Sequence, residues 1–340
     1  MTLRSFINLH LLTVGIITNP ASGKDIRRLV SQSRVISNQE KINIVRRILA
    51  GLEASGVERI LLMPDYSNLS IAAASEHGGN MQIESLDMPV FNNDQDTTRA
   101  AEKMALSGVS AIVALGGDGT SRAASKKIGP VPLMPVSTGT NNVFPYLIEG
   151  TLAGLATGFV VTGTADLEIC APQHKSLNIT TDSGQSDVAL VDVAISRERF
   201  VGARAIWNID SISELFLSIA EPASIGLSAI GGMIRPVSRT DDVGLHISLS
   251  RSKTGNFVTA PVTPGGLSPV FYSDYTLMKP GEEYQVLDKP CIIALDGERT
   301  IPLQPGQNAK IEMSLDGPRV IDPYISLRLA AEAGYFCEKG

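Results

Sequence analysis

The chain reads as an α/β unit built on a parallel sheet, followed by an antiparallel β-rich unit. Three observations carry that reading. Strand and helix signals alternate through the first half, and short β-type runs punctuated by Gly, Pro and Asp fill the second. The 340 residues also exceed the ~250–300 at which single cores stop growing. The division predicted is 1–148 for the α/β unit and 149–321 for the β-rich unit, with 322–340 packing back on the first.

Leu12–Thr18 is apolar and β-branched and reads as the first strand. A signal peptide fits less well, since Asn8 and His10 interrupt the apolar run and no small-residue cleavage site follows. Asn38 is placed to cap a helix over Gln39–Ala54, Val57–Met63 is the next strand, and Asn68–His77 the second helix. Asp96 or Thr97 can cap a helix running to Leu106. A strand then runs into Gly116, a helix starts at Thr120, and Val131–Val136 is a further strand. Leu152–Val161 reads as a buried helix. In the second half Ser186–Ile195, Gly244–Ser250, Val270–Leu277, Tyr284–Val286, Ile292–Leu295 and Ala309–Ser314 are strand-like, separated by turns such as Lys279-Pro280-Gly281. A helical insertion is expected over Asp210–Ala220, and a terminal helix over Ile325–Ala333.

Composition narrows the function. A net charge of −6 lacks the basic field a nucleic-acid binder needs. Cys170, Cys291 and Cys337 are scattered and odd in number, which fits reduced thiols in a cytoplasm. The four histidines show no metal-ligand spacing and flank no serine nucleophile, so zinc chemistry and a Ser-His-Asp triad are not expected. No apolar run is long enough to span a membrane. Trp207 near Arg204 could stack a base, although packing accounts for it as well.

Three loops that follow predicted strands carry the chemistry. The most informative is Gly116-Gly117-Asp118-Gly119-Thr120, a turn between a buried strand and a helix. Glycines permit positive φ and leave no Cβ against a ligand, and a helix N-terminus favours phosphate oxygens. Asp118 would repel a phosphate unless it holds a metal or takes a proton from an attacking hydroxyl. The same residues would also serve as a plain N-capped connection. Asn19-Pro20-Ala21-Ser22-Gly23-Lys24 is not a Walker A loop, yet its small residues, hydroxyl and lysine suit a phosphate; an ordinary turn is the other reading. Ser137-Thr138-Gly139-Thr140-Asn141-Asn142 closes the strand before it and is expected to open a helix. Its hydroxyls and amides suit ribose, base or phosphate, or merely the helix cap. Strand ends of a parallel sheet converge on one edge, and three such loops together favour a nucleotide site.

Gly116–Thr120, preceded by Asp96-Thr97 and Arg99-Ala100-Ala101, resembles the signature of ATP-NAD kinases. The Asn19–Lys24 and Ser137–Asn141 loops are similar to those of diacylglycerol and sphingosine kinases. With Asn142-Val143-Phe144-Pro145 following, the combination most resembles the AcoX proteins associated with acetoin catabolism. The resemblance implies an NAD kinase-like fold, with a Rossmann-like α/β domain and a C-terminal β-sandwich. It implies ATP as phosphoryl donor, Mg²⁺, a cytoplasmic homo-oligomer and a small-molecule acceptor such as NAD or an acetoin-related metabolite. Asp118 would be essential for phosphoryl transfer. The nucleotide would be held by Asn19, Ser22, Gly23, Lys24, Gly116, Gly117, Gly119, Thr120 and the residues from Ser137 to Asn142 (Thr138, Gly139, Thr140 and Asn141 between them). The ATP-NAD kinase pattern carries an Asn-Glu pair early in the second domain. Val191 and Asp192 stand there, which removes an amide anchor and leaves Asp192 as a substrate-binding candidate. Leu295-Asp296-Gly297-Glu298 is similar to an Asp-Gly-Glu of the lipid kinases, making Glu298 a second catalytic candidate; Asp-Gly is equally a hairpin signal. Two other activities are compatible with these residues: a sensor that binds NAD(H) or ATP without turnover, and a lipid kinase, to which the 5% aromatic content lends little support.

Overall fold

Five strands, β1 (Thr13–Thr18), β2 (Arg59–Leu62), β3 (Gln82–Ser85), β4 (Ala111–Gly116) and β5 (Leu133–Ser137), form one sheet in the order β3-β2-β1-β4-β5. Every pairing in it is parallel. In this computed structural model the described residues are 11–23, 36–139, 141–198 and 209–337. Lys24, Thr140, Arg204 and Trp207, all singled out above, lie outside them. β1 and β4 are buried along their whole length, as apolar runs with helices on both faces should be. Strand order reverses between these two, so the crevice at their carboxyl ends is the place where such sheets bind ligands.

Helices α1 (Asn38–Ala54), α2 (Leu69–Ser75), α3 (Asp94–Leu106), α4 (Asp118–Ser125) and α5 (Gly150–Val161) belong to this half. Ser37 rather than Asn38 caps α1. Asn93 caps α3, and Asp96 sits at the third helical position, where its carboxylate returns to the Asn93 amide as a capping box. α1 and α5 cross so closely that a Cβ on Gly51 would overlap the Thr151 carbonyl, and one on Gly154 the Ile48 carbonyl. β3 has no counterpart in the sequence reading. It is a polar edge strand whose residues are mostly exposed, so it lacks the apolar run that marks the central strands.

After the short helix α6 (Leu167–Cys170), the second half contains β6 (Ser176–Thr181), β7 (Ser186–Ala189), β8 (Asp192–Ser196), β9 (Ile212–Leu217), helix α7 (Leu227–Ile234), β10 (Gly244–Leu249), β11 (Phe257–Thr263) and β12 (Gly266–Met278). β13 (Glu283–Gln285), β14 (Cys291–Leu295), β15 (Glu298–Leu303) and β16 (Ala309–Ser314) complete it. They form a seven-stranded sheet ordered β11-β12-β10-β9-β8-β14-β15 and a four-stranded sheet ordered β13-β16-β6-β7. Leu177, Ile179, Ile311 and Met313 of the smaller sheet meet Val193, Ile195, Phe216 and Ile293 of the larger in one core. The far face of the larger sheet is covered by Ile230 of α7. The helix expected over Asp210–Ala220 is not formed. A 3-10 turn at Ile209–Ser211 leads into β9, which pairs with β8 and β10. Phe216 packs on one face and Leu215 and Leu217 on the other, so burial on both faces erases the alternation that would have marked a strand.

The two halves share a core. Val143 and Phe144 of the first pack with Leu190, Val191 and Ile219 of the second. Residues 319–321 return to the first sheet, where Val320 bridges Leu133 in parallel, and the final helix α8 (Pro323–Glu332) lies against α5, its Ser326 hydroxyl donating to the Ala156 carbonyl at 2.7 Å. Two buried basic side chains sit at this junction. Lys175 Nζ donates to the Ser238 and Val243 carbonyls at 2.8 and 2.7 Å, and burial pulls its ammonium down to about 8. His174 packs edge-on against Phe144, and burial, with help from Arg239 and Lys175, pushes it down to about 3.

His174 is therefore neutral when folded, while the unfolded chain takes up the proton near pH 6.5. Between about pH 6.5 and 3 the unfolded state binds more protons, so stability falls as pH falls, by up to roughly 1.4 kcal/mol per pH unit from this group. Urea unfolding at pH 7 and pH 4.5 should show a smaller acid-induced loss in His174→Gln than in the wild type; equal losses would contradict this assignment.

Candidate functional site

The three sequence-predicted loops meet at the carboxyl ends of β1, β4 and β5. Asn19, directly after β1, donates from Nδ2 to Thr120 Oγ1 at 2.9 Å, joining the first loop to the glycine turn. The Thr138 amide donates to the Gly116 carbonyl at 3.0 Å, joining the third loop to the same turn. Gly23, at φ +69°, approaches the Thr138 carbonyl, 3.0 Å from where its Cβ would stand. Other predicted side chains brace their own loops. Ser22 Oγ donates to the Asn19 carbonyl at 2.8 Å, and Ser137 Oγ accepts from Asn142 Nδ2 at 2.8 Å.

The glycines of the turn act through their missing Cβ atoms and not through positive φ, which Gly116, Gly117 and Gly119 do not adopt. A Cβ on Gly116 would overlap the Thr120 side chain, and one on Gly117 would stand 2.8 Å from Asn142 Oδ1. One on Gly119 would lie 3.3 Å from Glu298 Oε1. α4 begins at Asp118, with Gly117 as N-cap and no side-chain cap. The Thr120 and Ser121 amides return to the Gly117 carbonyl. An uncapped N-terminus against a glycine cradle suits an anion. Thr138 adds a hydroxyl that is buried and has no hydrogen-bond partner.

Asp118 does not stand bare at this terminus. Its Oδ1 accepts from the Val143 and Phe144 amides at 3.0 and 2.8 Å, and its Oδ2 from Val143 at 3.2 Å. From the other side, Arg239 donates to the carbonyls of Phe144, at 2.6 Å, and of Val143. Its guanidinium also lies over the Tyr146 ring, 4.9 Å from the centroid. This grip explains why the third loop opens no helix, contrary to expectation. Val143 and Phe144 spend their amides on Asp118, Pro145 has none, and Tyr146 bridges Val136. The next helix waits until Gly150.

The Asp296-Gly297 hairpin comes to the same place. Both residues have positive φ, 49° and 76°, as a tight two-residue turn demands. Asp296 is also a buried anchor, because its carboxylate accepts from the amides of Leu190, Val191 and Asp192. Burial pushes its carboxyl up, opposed by the Arg122 charge and those amides. The Gly297 amide donates to Asp192 Oδ1 at 3.2 Å, so Asp192 supports the hairpin. Val191 lies wholly within the core. Arg122, buried on α4, faces three carboxylates: Asp187 at 3.5 Å, Asp296 at 3.6 Å and Glu298 at 3.9 Å. Glu298, at the mouth of the hairpin, is half-exposed.

Sequence reasoning missed Arg122, Arg239 and Lys41, and read Asp296 only as part of the hairpin motif. Lys41 is fully buried on α1 and donates to the carbonyls of Asn19, Pro20 and Ser22. The signal was a lysine in register with the apolar stripe of Ile44, Val45 and Ile48. Among the described residues no group of three or more His, Cys, Asp or Glu side chains could hold a metal ion. Asp118, at the start of α4, and Glu298, over Gly119, are the carboxylates at the turn, a number that would fit a hard cation needing one or two.

Comparison with known proteins agrees with this architecture in both halves. Residues 14–160 match the ATP-NAD kinase N-terminal domain, and residues 175–316 the acetoin catabolism protein X C-terminal domain. The class is thus kinase-like, with an NAD kinase-like fold. The chain is 39% identical over 329 residues to acetoin catabolism protein X of Cupriavidus necator, covering 93% of this chain and 92% of that one. It belongs to the acetoin catabolism protein X family. A solved structure from Bacillus anthracis, provisionally described as a diacylglycerol kinase, is 13% identical with a TM-score of 0.45 and covers 91% of this chain and 97% of its own.

Removing one partner of a buried ion pair is costly, about 3–5 kcal/mol. Arg122→Met should lower the unfolding free energy in urea by that order, and adding Asp296→Asn should recover part of it. Strictly additive losses would show that the two do not interact.

Proposed function

We propose that this chain is an ATP-dependent phosphotransferase that phosphorylates a hydroxyl of NAD or of a small metabolite, linked to acetoin catabolism. The observation that supports it best is the convergence of three strand-end loops on the uncapped, glycine-lined N-terminus of α4. Kinship with the ATP-NAD kinase N-terminal domain supports the same reading.

On this reading the amides of the glycine turn (Gly116, Gly117, Gly119) hold phosphate oxygens. Thr120 acts through Asn19, and the third loop, from Ser137 to Asn142, lines the nucleotide. Lys24 and Thr140 complete the set. Asp118 orients the acceptor hydroxyl and takes its proton. Two backbone amides fix its carboxylate in direction, as an orienting base requires. Glu298, within reach of Gly119, is the second acid–base group. Bound with the nucleotide, Mg²⁺ would neutralise the triphosphate. The protein works as a cytoplasmic homo-oligomer on a small-molecule substrate. No described helix is long and apolar enough to cross a membrane.

Val191 supports a second reading, a nucleotide sensor without turnover. It replaces a polar anchor and is buried in the core.

With radiolabelled ATP, Mg²⁺ and a panel of hydroxyl-bearing metabolites that includes NAD, the wild type should transfer phosphate to at least one acceptor. Loss of a positioned general base costs roughly 10²–10⁴-fold, so Asp118→Asn should reduce turnover by that order while circular dichroism stays unchanged. Nucleotide binding with no transfer to any acceptor would favour the sensor. Transfer by Asp118→Asn at the wild-type rate would falsify the role given to Asp118.

A further inference from the structure

Lys41 is the largest fully buried side chain of the described residues, and packing alone does not account for it. Its helix-face neighbours Ile44, Val45 and Ile48 are core residues, so an apolar side chain would satisfy the interior at lower cost than an ammonium. What the ammonium meets is the first loop. Nζ lies 3.1 Å from the Asn19 carbonyl, 2.9 Å from that of Pro20 and 2.7 Å from that of Ser22. Three carbonyls within four residues are thus drawn to one cation.

The peptide plane gives this a consequence on the opposite side of the loop. In a trans peptide the C=O and the following N–H point in opposite directions. Drawing the Pro20 and Ser22 carbonyls inward turns the Ala21 and Gly23 amides away from Lys41. The Ala21 amide is taken by Asn19 Oδ1 at 2.9 Å. The Ser22 amide returns to the Asn19 carbonyl at 3.3 Å, which leaves the amide of Gly23, turned away from Lys41 on a residue packed beside the third loop, as the donor an anion could meet. Were the carbonyls released, the loop would present partial negative charge where phosphates arrive.

We infer that Lys41 is a positioning residue for nucleotide binding: it fixes the polarity of the Asn19–Gly23 loop so that the Gly23 amide, and not the Pro20 and Ser22 carbonyls, faces the phosphates. The inference rests on the nucleotide reading of the site given above. The ammonium donates to three backbone carbonyls of the loop, its charge also acts on the buried Asp65 carboxylate, and its influence on the site passes through the loop.

The test is binding of Mg·ATP by calorimetry, joined to hydrogen exchange of peptides covering residues 11–23 and 111–120. In the wild type, Mg·ATP should slow exchange in both segments. Lys41→Met should weaken Mg·ATP by roughly tenfold or more, the scale of lost charge-assisted hydrogen bonds. Lys41→Gln, which keeps a donor, should fall between. In a transfer assay KM for ATP should rise in both variants while turnover at saturating ATP is kept, a split that general destabilisation would not produce. Wild-type affinity in a folded Lys41 variant overturns the inference and leaves the nucleotide reading intact. So does a wild type that binds Mg·ATP without protecting residues 19–23, a result that needs no variant to fold. A wild type that binds no Mg·ATP removes the nucleotide reading itself.

Discussion

The structure turns on the grip that Asp118 and Arg239 exert on two residues of backbone. The carboxylate at the first position of α4 takes the amides of Val143 and Phe144, and the guanidinium from the second half takes their carbonyls. One short segment therefore joins the glycine turn, the third loop and the β-rich half. Because Phe144 is also fully buried, with His174 against its ring, the polar grip is set in an apolar seat. Charge-assisted hydrogen bonds in such surroundings are stronger than in water and cost more to break.

A second joint lies beside it. Arg122, one turn into the helix that Asp118 begins, enters a nest of carboxylates supplied by the second half. Asp296 is the buried centre of that nest, holding three successive amides of the β7–β8 connection and placing Glu298 over Gly119. The two joints set the spacing between Asp118 and the hairpin carboxylate. The glycines then follow as a packing requirement: larger residues at 116 and 117 would collide with Thr120 and crowd Asn142.

The alternation of strands and helices in the first half was legible because buried parallel strands are short apolar runs bounded by glycine and polar turns, as at Val109–Thr120. The carboxyl-edge loops were legible for the same reason. β9 was not, since a central strand buried on both faces lacks alternation and its Ser213 and Glu214 imitate a helix face. The missing helix after Asn142 was not legible either. It depends on Asp118 and Arg239, which lie 25 and 95 residues from the backbone they hold. Arg122 and Lys41 escaped notice because a cation on an amphipathic helix is ordinarily a solvated one. Asp296 was visible as half of a hairpin signal, but its burial depends on the β7–β8 amides, which no local pattern discloses.

The proposed nucleotide site joins the three loops at the N-terminus of α4. A crystal structure with a non-hydrolysable ATP analogue and Mg²⁺ would show it. Phosphates should lie against the amides of Gly117–Gly119, between the Asn19–Gly23 loop and Thr138, with Asp118 and Glu298 facing the terminal phosphate. A nucleotide bound elsewhere, with those amides turned from it, would show that the three loops do not form its site.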